Sequence, residues 1–155
     1  MRSITAKRFV VGTAVLWAIG SIAGVRAQLG VGNWAQSING TPTGMTMTVE
    51  VCCGSGYRLT YHLPPSAGGT VMIVESALDG KDAAVMIAGK PSGETMAIKR
   101  IDATHISGVV KMNGQPTGTS KAALSADGKT LTVETEMTAS AGQPAGKTIE
   151  VWTKK

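Results

Sequence analysis

The sequence is poor in aromatic rings, in charge, in histidine and in cysteine. Only 4% of its 155 residues are Phe, Trp or Tyr, 16% are charged, and two each are His and Cys. With so few rings, other apolar side chains must fill the core. Catalytic signatures are missing too: there is no H-E-x-x-H, no G-x-S-x-G and no phosphate-cradling glycine loop. Converging groups with tuned pKa values are what an active site needs, and the sequence signals none, so the expectation is a non-enzyme without a cofactor. At 155 residues the chain is also too short for a two-domain dinucleotide enzyme.

The formal charge of +5 and pI near 9.4 invite a nucleic-acid reading, but the charge is unevenly placed. Residues 1–27 read as a secretory signal peptide. Arg2, Lys7 and Arg8 form its basic start, Phe9 to Ala23 an uncharged apolar run, and Val25-Arg26-Ala27 a cleavage site before Gln28. That run is shorter than the roughly 18–20 residues that span a bilayer comfortably, so no stable membrane anchor is expected after cleavage. No Cys follows it for lipid attachment. Four of the fifteen basic residues leave with the leader, and the remaining lysines are dispersed among acids. A nucleic-acid partner needs a basic stripe, which residues 28–155 lack. The expected product is an exported monomer, periplasmic or extracellular.

What is abundant in residues 28–155 is Gly and Thr, the composition of strands joined by tight turns. Alternation supports this. Met45, Met47, Val49, Val51 and Cys53 share one face, and Tyr57, Leu59, Tyr61 and Leu63 another. Val71 and Ile73 lead a third strand, ended by Asp79-Gly80. Val85 and Ile87 mark a short fourth. Met96, Ile98 and Arg100 share a face. Ile106, Val110 and Met112 run to Asn113-Gly114, a strong hairpin signal. Thr117 to Leu124 follows, with a turn at Asp127-Gly128. Leu131, Val133 and Met137, then Ile149 and Val151, are expected to face inward. No helical period stands out beyond the leader. About eight or nine short strands, plus a segment around Trp34, predict an all-β, antiparallel up-and-down barrel over residues 28–155.

Gly32-Asn33-Trp34 before such a meander, with D-G-K at 79–81, M-A-I-K-R-I-D-A-T at 96–104, A-D-G-K-T-L-T-V at 126–133 and I-E-V-W at 149–152, resembles a family of small secreted bacterial lipocalin-like, calycin-type β-barrels. The resemblance spans roughly residues 32–155. It implies a barrel with a small hydrophobic or amphipathic ligand inside, and no catalytic residues. In such a fold Trp34 would plug the base, stacked by a basic side chain. Arg100 is a candidate for that contact or for a ligand carboxylate, or it reaches out to water. The candidate ligand-binding residues are Trp34, Met47, Tyr61, Met96, Arg100 and Met112. An inward Met set (Met45, Met47, Met72, Met96, Met112 and Met137) either lines an adaptable pocket or replaces absent Phe as filler.

Cys52-Cys53 is the sharpest local oddity. In an extended strand the two thiols diverge. A vicinal or intermolecular disulfide and two unlinked cysteines are the alternatives, with soft-metal (copper) handling through Cys52, Cys53, Met45, Met47 and His62 a third. His62 and His105 both read as solvent-facing, and Asp102 with His105 as local hydrogen bonding across a turn. A packed barrel acting through its surface remains the rival to ligand binding. A cavity below roughly 300 Å³ would favour that rival.

Overall fold

The computed structural model describes residues 30–139 and 144–155, so the leader expected at 1–27 lies outside the described residues. Ten strands follow in order: β1 Gly32–Ile38, β2 Thr41–Cys52, β3 Gly56–His62, β4 Val71–Ser76, β5 Asp79–Ile87, β6 Lys90–Arg100, β7 His105–Met112, β8 Gln115–Leu124, β9 Thr130–Met137 and β10 Gly146–Lys154. A 3-10 turn, Pro65–Ala67, sits between β3 and β4. Every strand pairs antiparallel with its chain neighbours, and β1 pairs with β10, so the sheet closes into a barrel.

The all-β up-and-down barrel is the fold expected from alternation, with ten strands where eight or nine were counted. The difference lies at Trp34. Residues 32–38 are a full strand, hydrogen-bonded on both sides, because closure satisfies backbone groups that would otherwise be exposed edges.

Tight turns fix the register. Asn39-Gly40, Ala88-Gly89 and Asn113-Gly114 each place two successive residues at positive φ, the geometry whose twist matches paired strands. All three lie at one mouth, called here the first-turn end. The start of β1, the end of β10 and the turns at 53–55, 77–78, 101–104 and 125–129 lie at the other, the terminal end. The fourth turn falls at Ala77-Leu78, ahead of the expected Asp79-Gly80, and β5 begins at Asp79. Gly56 has no room for a side chain: a Cβ there would meet the Ser76 carbonyl oxygen at 2.6 Å.

Trp34, Val49, Tyr57, Leu59, Val74, Leu78, Val85, Ile98 and Trp152 form the packed core with Met47. Outward positions carry ion pairs such as Arg58–Glu75 and Lys111–Asp82. Exposed pairs of this kind contribute little.

The last strand has the opposite phase to the one expected. Ile149 is 46% exposed, while Trp152 is buried and Glu150 turns into the barrel. Burying a Trp ring removes about 150–250 Å² of surface, worth about 4–6 kcal/mol, against about 1.5–3 for an Ile. With a two-residue period the strand cannot bury both sets. Trp152 wins, and Glu150 is carried inside with it.

Candidate functional site

The barrel encloses a cavity of about 280 Å³. Its wall is mainly apolar, with Met45 and Met47 from β2, Met72 from β4 and Met96 from β6 among its lining. Trp34, Val49, Leu59, Leu78, Ile98, Leu124 and Leu131 surround the part nearer the terminal end. Tyr61 and Trp152 meet edge to face, with ring centroids 5.8 Å apart.

Polar groups enter from several strands, Ser107, Ser120 and Thr135 on β7 to β9 among them. Gln36 is buried on β1, where three β2 residues, 43–45, stand opposite it across a bulge. The bulge turns Thr43 inward, and its hydroxyl donates to Gln36 Oε1 at 2.6 Å. Gln36 Nε2 then donates to Glu150 Oε2 at 2.9 Å, and Trp152 Nε1 donates to the same oxygen at 3.1 Å. These two donors offset part of the cost of bringing a carboxylate inside. Glu94 enters from β6, and burial pushes its pKa above the ordinary carboxylate value. Tyr61 is shifted upward too, first by burial and then by the negative charge of Glu150, so its hydroxyl stays protonated. Among the described residues neither the Tyr61 hydroxyl nor the Glu94 carboxylate has a hydrogen-bond partner.

Of the six residues expected to bind a ligand, the structure places Trp34, Met47, Tyr61 and Met96 on this cavity. Arg100 and Met112 are elsewhere. Arg100 ends β6 and is held at the terminal end, donating to the Tyr57 hydroxyl at 3.1 Å with its guanidinium 5.5 Å from that ring's centroid. It does not stack on Trp34. Lys154 does, with Nζ 5.8 Å from the ring centroid, because β1 and β10 pair Trp34 with Lys154. Trp34 itself is fully buried, and its Nε1 donates to the Gly30 carbonyl at 2.6 Å. Met112 has the inward phase but is 41% exposed, since the barrel wall stops at Asn113-Gly114 just beyond it. Met137, at the end of β9, is also off the cavity.

Cys52 and Cys53 are disulfide-bonded to each other. The strand's divergent geometry ends at Cys53, whose φ of +54° starts the turn and brings the sulfurs together. The five soft donors proposed for copper do not converge. The cysteines lie at the terminal end and His62 at the far end of β3, six residues along the strand, roughly 20 Å away. Among the described residues the cysteines have only Glu75 as a third ligand-type neighbour, and their sulfurs are already bonded. His62 and His105 are exposed, and His105 Nδ1 lies 2.9 Å from Asp102 within the turn.

Gln36, Glu94 and Glu150 were not anticipated. Glu94 was within reach, since it lies two residues before Met96 on the same alternating face. Glu150 follows once Trp152 rather than Val151 is taken as inward.

No protein-family model matches the sequence, and no curated protein is similar enough to count as a relative. Solved structures do match. The fluorescent protein UnaG superposes with a TM-score of 0.56 at 16% identity, over 81% of this chain and 96% of that one. A single-substitution variant of UnaG gives 0.58 at 13% identity, over 81% and 95%. A second variant gives 0.56 at 13%, over 80% and 94%. At such identities the likeness is one of fold: the chain is a closed antiparallel up-and-down barrel, as those structures are.

Proposed function

We propose that the chain is an exported, non-catalytic binding protein that takes one small hydrophobic or amphipathic molecule into its barrel. The observation that carries this reading is a Met-rich cavity into which the Tyr61 hydroxyl and the Glu94 carboxylate project without protein partners. The Tyr61 hydroxyl is buried and Glu94 is half-buried near the rim, and buried polar groups left unpaired cost stability. In a barrel built only to be packed, apolar residues at those positions would be more favourable. Thioether walls also adapt to varied shapes.

Volume bears on the rival reading. At about 280 Å³ the cavity is just under the lower bound of roughly 300 Å³ for ligand sites, and by that criterion alone a packed barrel acting through its surface is favoured. The unpaired polar groups support occupancy, and the volume limits the occupant. An apolar cavity of about 150 Å³ holds benzene. A space about twice that size suits a two-ring body or a short chain, and does not enclose a long-chain lipid.

Native mass spectrometry of the protein recovered from its producing cell tests this reading. The expected result is a small-molecule adduct that is lost on denaturation, on a chain beginning at Gln28. A chain recovered without an adduct, and with no saturable uptake of two-ring probes, overturns the binding reading. A protein that keeps its first 27 residues overturns the export reading.

A further inference from the structure

Resting on the binding reading above, the next question is which chemistry the cavity selects. Two of its lining residues carry charge, Glu94 and Glu150, and no Lys, Arg or His is among them. The carboxylates stand on β6 and β10, four strands apart around the ten-strand ring, so they approach from opposing walls. The basic side chains nearby are engaged elsewhere. Arg100 is held by Tyr57, Lys154 lies over Trp34, Lys111 pairs with Asp82 and Lys147 with Glu134. A ligand carboxylate entering this barrel would meet two like charges and no cation.

We infer that the ligand is a small hydrophobic organic cation, an amine on an apolar body of about two rings, drawn to Glu150 and Glu94 and seated against Tyr61, Trp152 and the Met wall. Each part of the cavity fits that chemistry. Gln36 and Trp152 fix Glu150 through Oε2, and its Oε1 has no partner among the described residues. Glu94 likewise has none. Each can accept from an ammonium, and such charge-assisted bonds are the stronger kind. Tyr61 and Trp152 both line the cavity, packed edge to face, and an aromatic face attracts a cation by its quadrupole. The protonated Tyr61 hydroxyl can reach a polar group on the same ligand.

The test uses three probes sharing a naphthalene body: naphthylmethylamine (cationic), naphthalenemethanol (neutral) and naphthoate (anionic). Each is titrated by calorimetry into the unaltered protein. The expected order is amine, then alcohol, then acid, each step costing on the order of tenfold in affinity, with the amine's advantage shrinking as salt is raised. In the double variant Glu94→Gln, Glu150→Gln the amine and alcohol are expected to bind within about threefold of each other, since the charge is gone while each amide can still accept. Alcohol or acid binding as tightly as amine to the unaltered protein overturns the cation inference and leaves the binding reading standing. Failure of all three probes to bind overturns the cation inference, and the binding reading falls with it only if the recovered protein also carries no adduct. The wild-type series decides the matter even if the double variant does not fold.

Discussion

The two ends of this barrel obey the same alternation but use it differently. At the terminal end every polar atom of the rings is engaged. Trp34 donates to Gly30 and lies under Lys154, and Tyr57 is held by Arg100. Around them Leu59, Val74, Leu78 and Ile98 close the space. Toward the first-turn end, Tyr61 and Glu94 face a void with no partner among the described residues, and Glu150 is only half engaged. One end is closely packed. The other holds polar groups that have no protein partner among the described residues.

Substitutions at the two ends can break that contrast. The largest effect is expected from Trp34→Ala. Truncating a fully buried Trp typically costs about 3–5 kcal/mol, which here amounts to a fall in Tm of about 10–20 °C by calorimetry. A smaller fall than at an exposed control such as Ile149→Ala would count against close packing at this end. Glu94→Gln is expected to do the reverse. Its raised pKa means that folding favours the neutral acid, so its contribution to stability is present below the usual carboxylate value and is lost as pH rises through the folded one. At neutral pH the amide should therefore raise Tm by about 1–3 °C while weakening amine binding. A variant that is destabilised at pH 7 would show that Glu94 is structural.

Asp102 provides a smaller, pH-resolved check at the terminal end. Hydrogen bonds from the Thr104 backbone, the His105 side chain, the His105 backbone and the Thr104 hydroxyl hold its carboxyl down to about 2. Stability from this group is present above the unfolded value of about 4 and fades as pH falls toward 2. Asp102→Asn should flatten that part of the acid limb of a Tm–pH curve, and an unchanged limb would count against the turn network. The smallest effect is expected from reducing Cys52–Cys53. A bridge between adjacent residues closes almost no loop, so little chain entropy is at stake. Tm should move by less than about 2 °C with reductant, and a larger shift would mean that the turn organises more of the barrel than its own few residues.

Strands and turns were legible because they depend on short patterns. Asn113-Gly114 specifies its hairpin in two residues, and Met45 to Val49 states its phase in five. Met47, Tyr61 and Met96 were legible as inward residues for the same reason, while Trp34 came from the family resemblance. What was hidden depends on pairing between distant strands. Lys154 rather than Arg100 covers Trp34 because β10 returns beside β1, and that register appears in neither segment alone. Glu150 was misplaced because Ile149 and Val151 looked like the natural core pair, while a single Trp152 outweighed them. Met112 kept its phase but not its depth, since alternation says which way a side chain points and not how far the wall extends.

The pairing of β1 with β10 also sets an order in time. Trp34 joins Lys154 and Ile38 joins Glu150 across 112 or more residues of chain, contacts of the kind that are slow to form. Until the final nine-residue strand is available, the other nine strands are an open sheet with two bare edges, the state most prone to pair with other chains. A chain threaded through a membrane would therefore stay unclosed until its tail had passed. A permuted chain, joined at its old ends and opened at Asn113-Gly114, would turn the last contact made into one of the first.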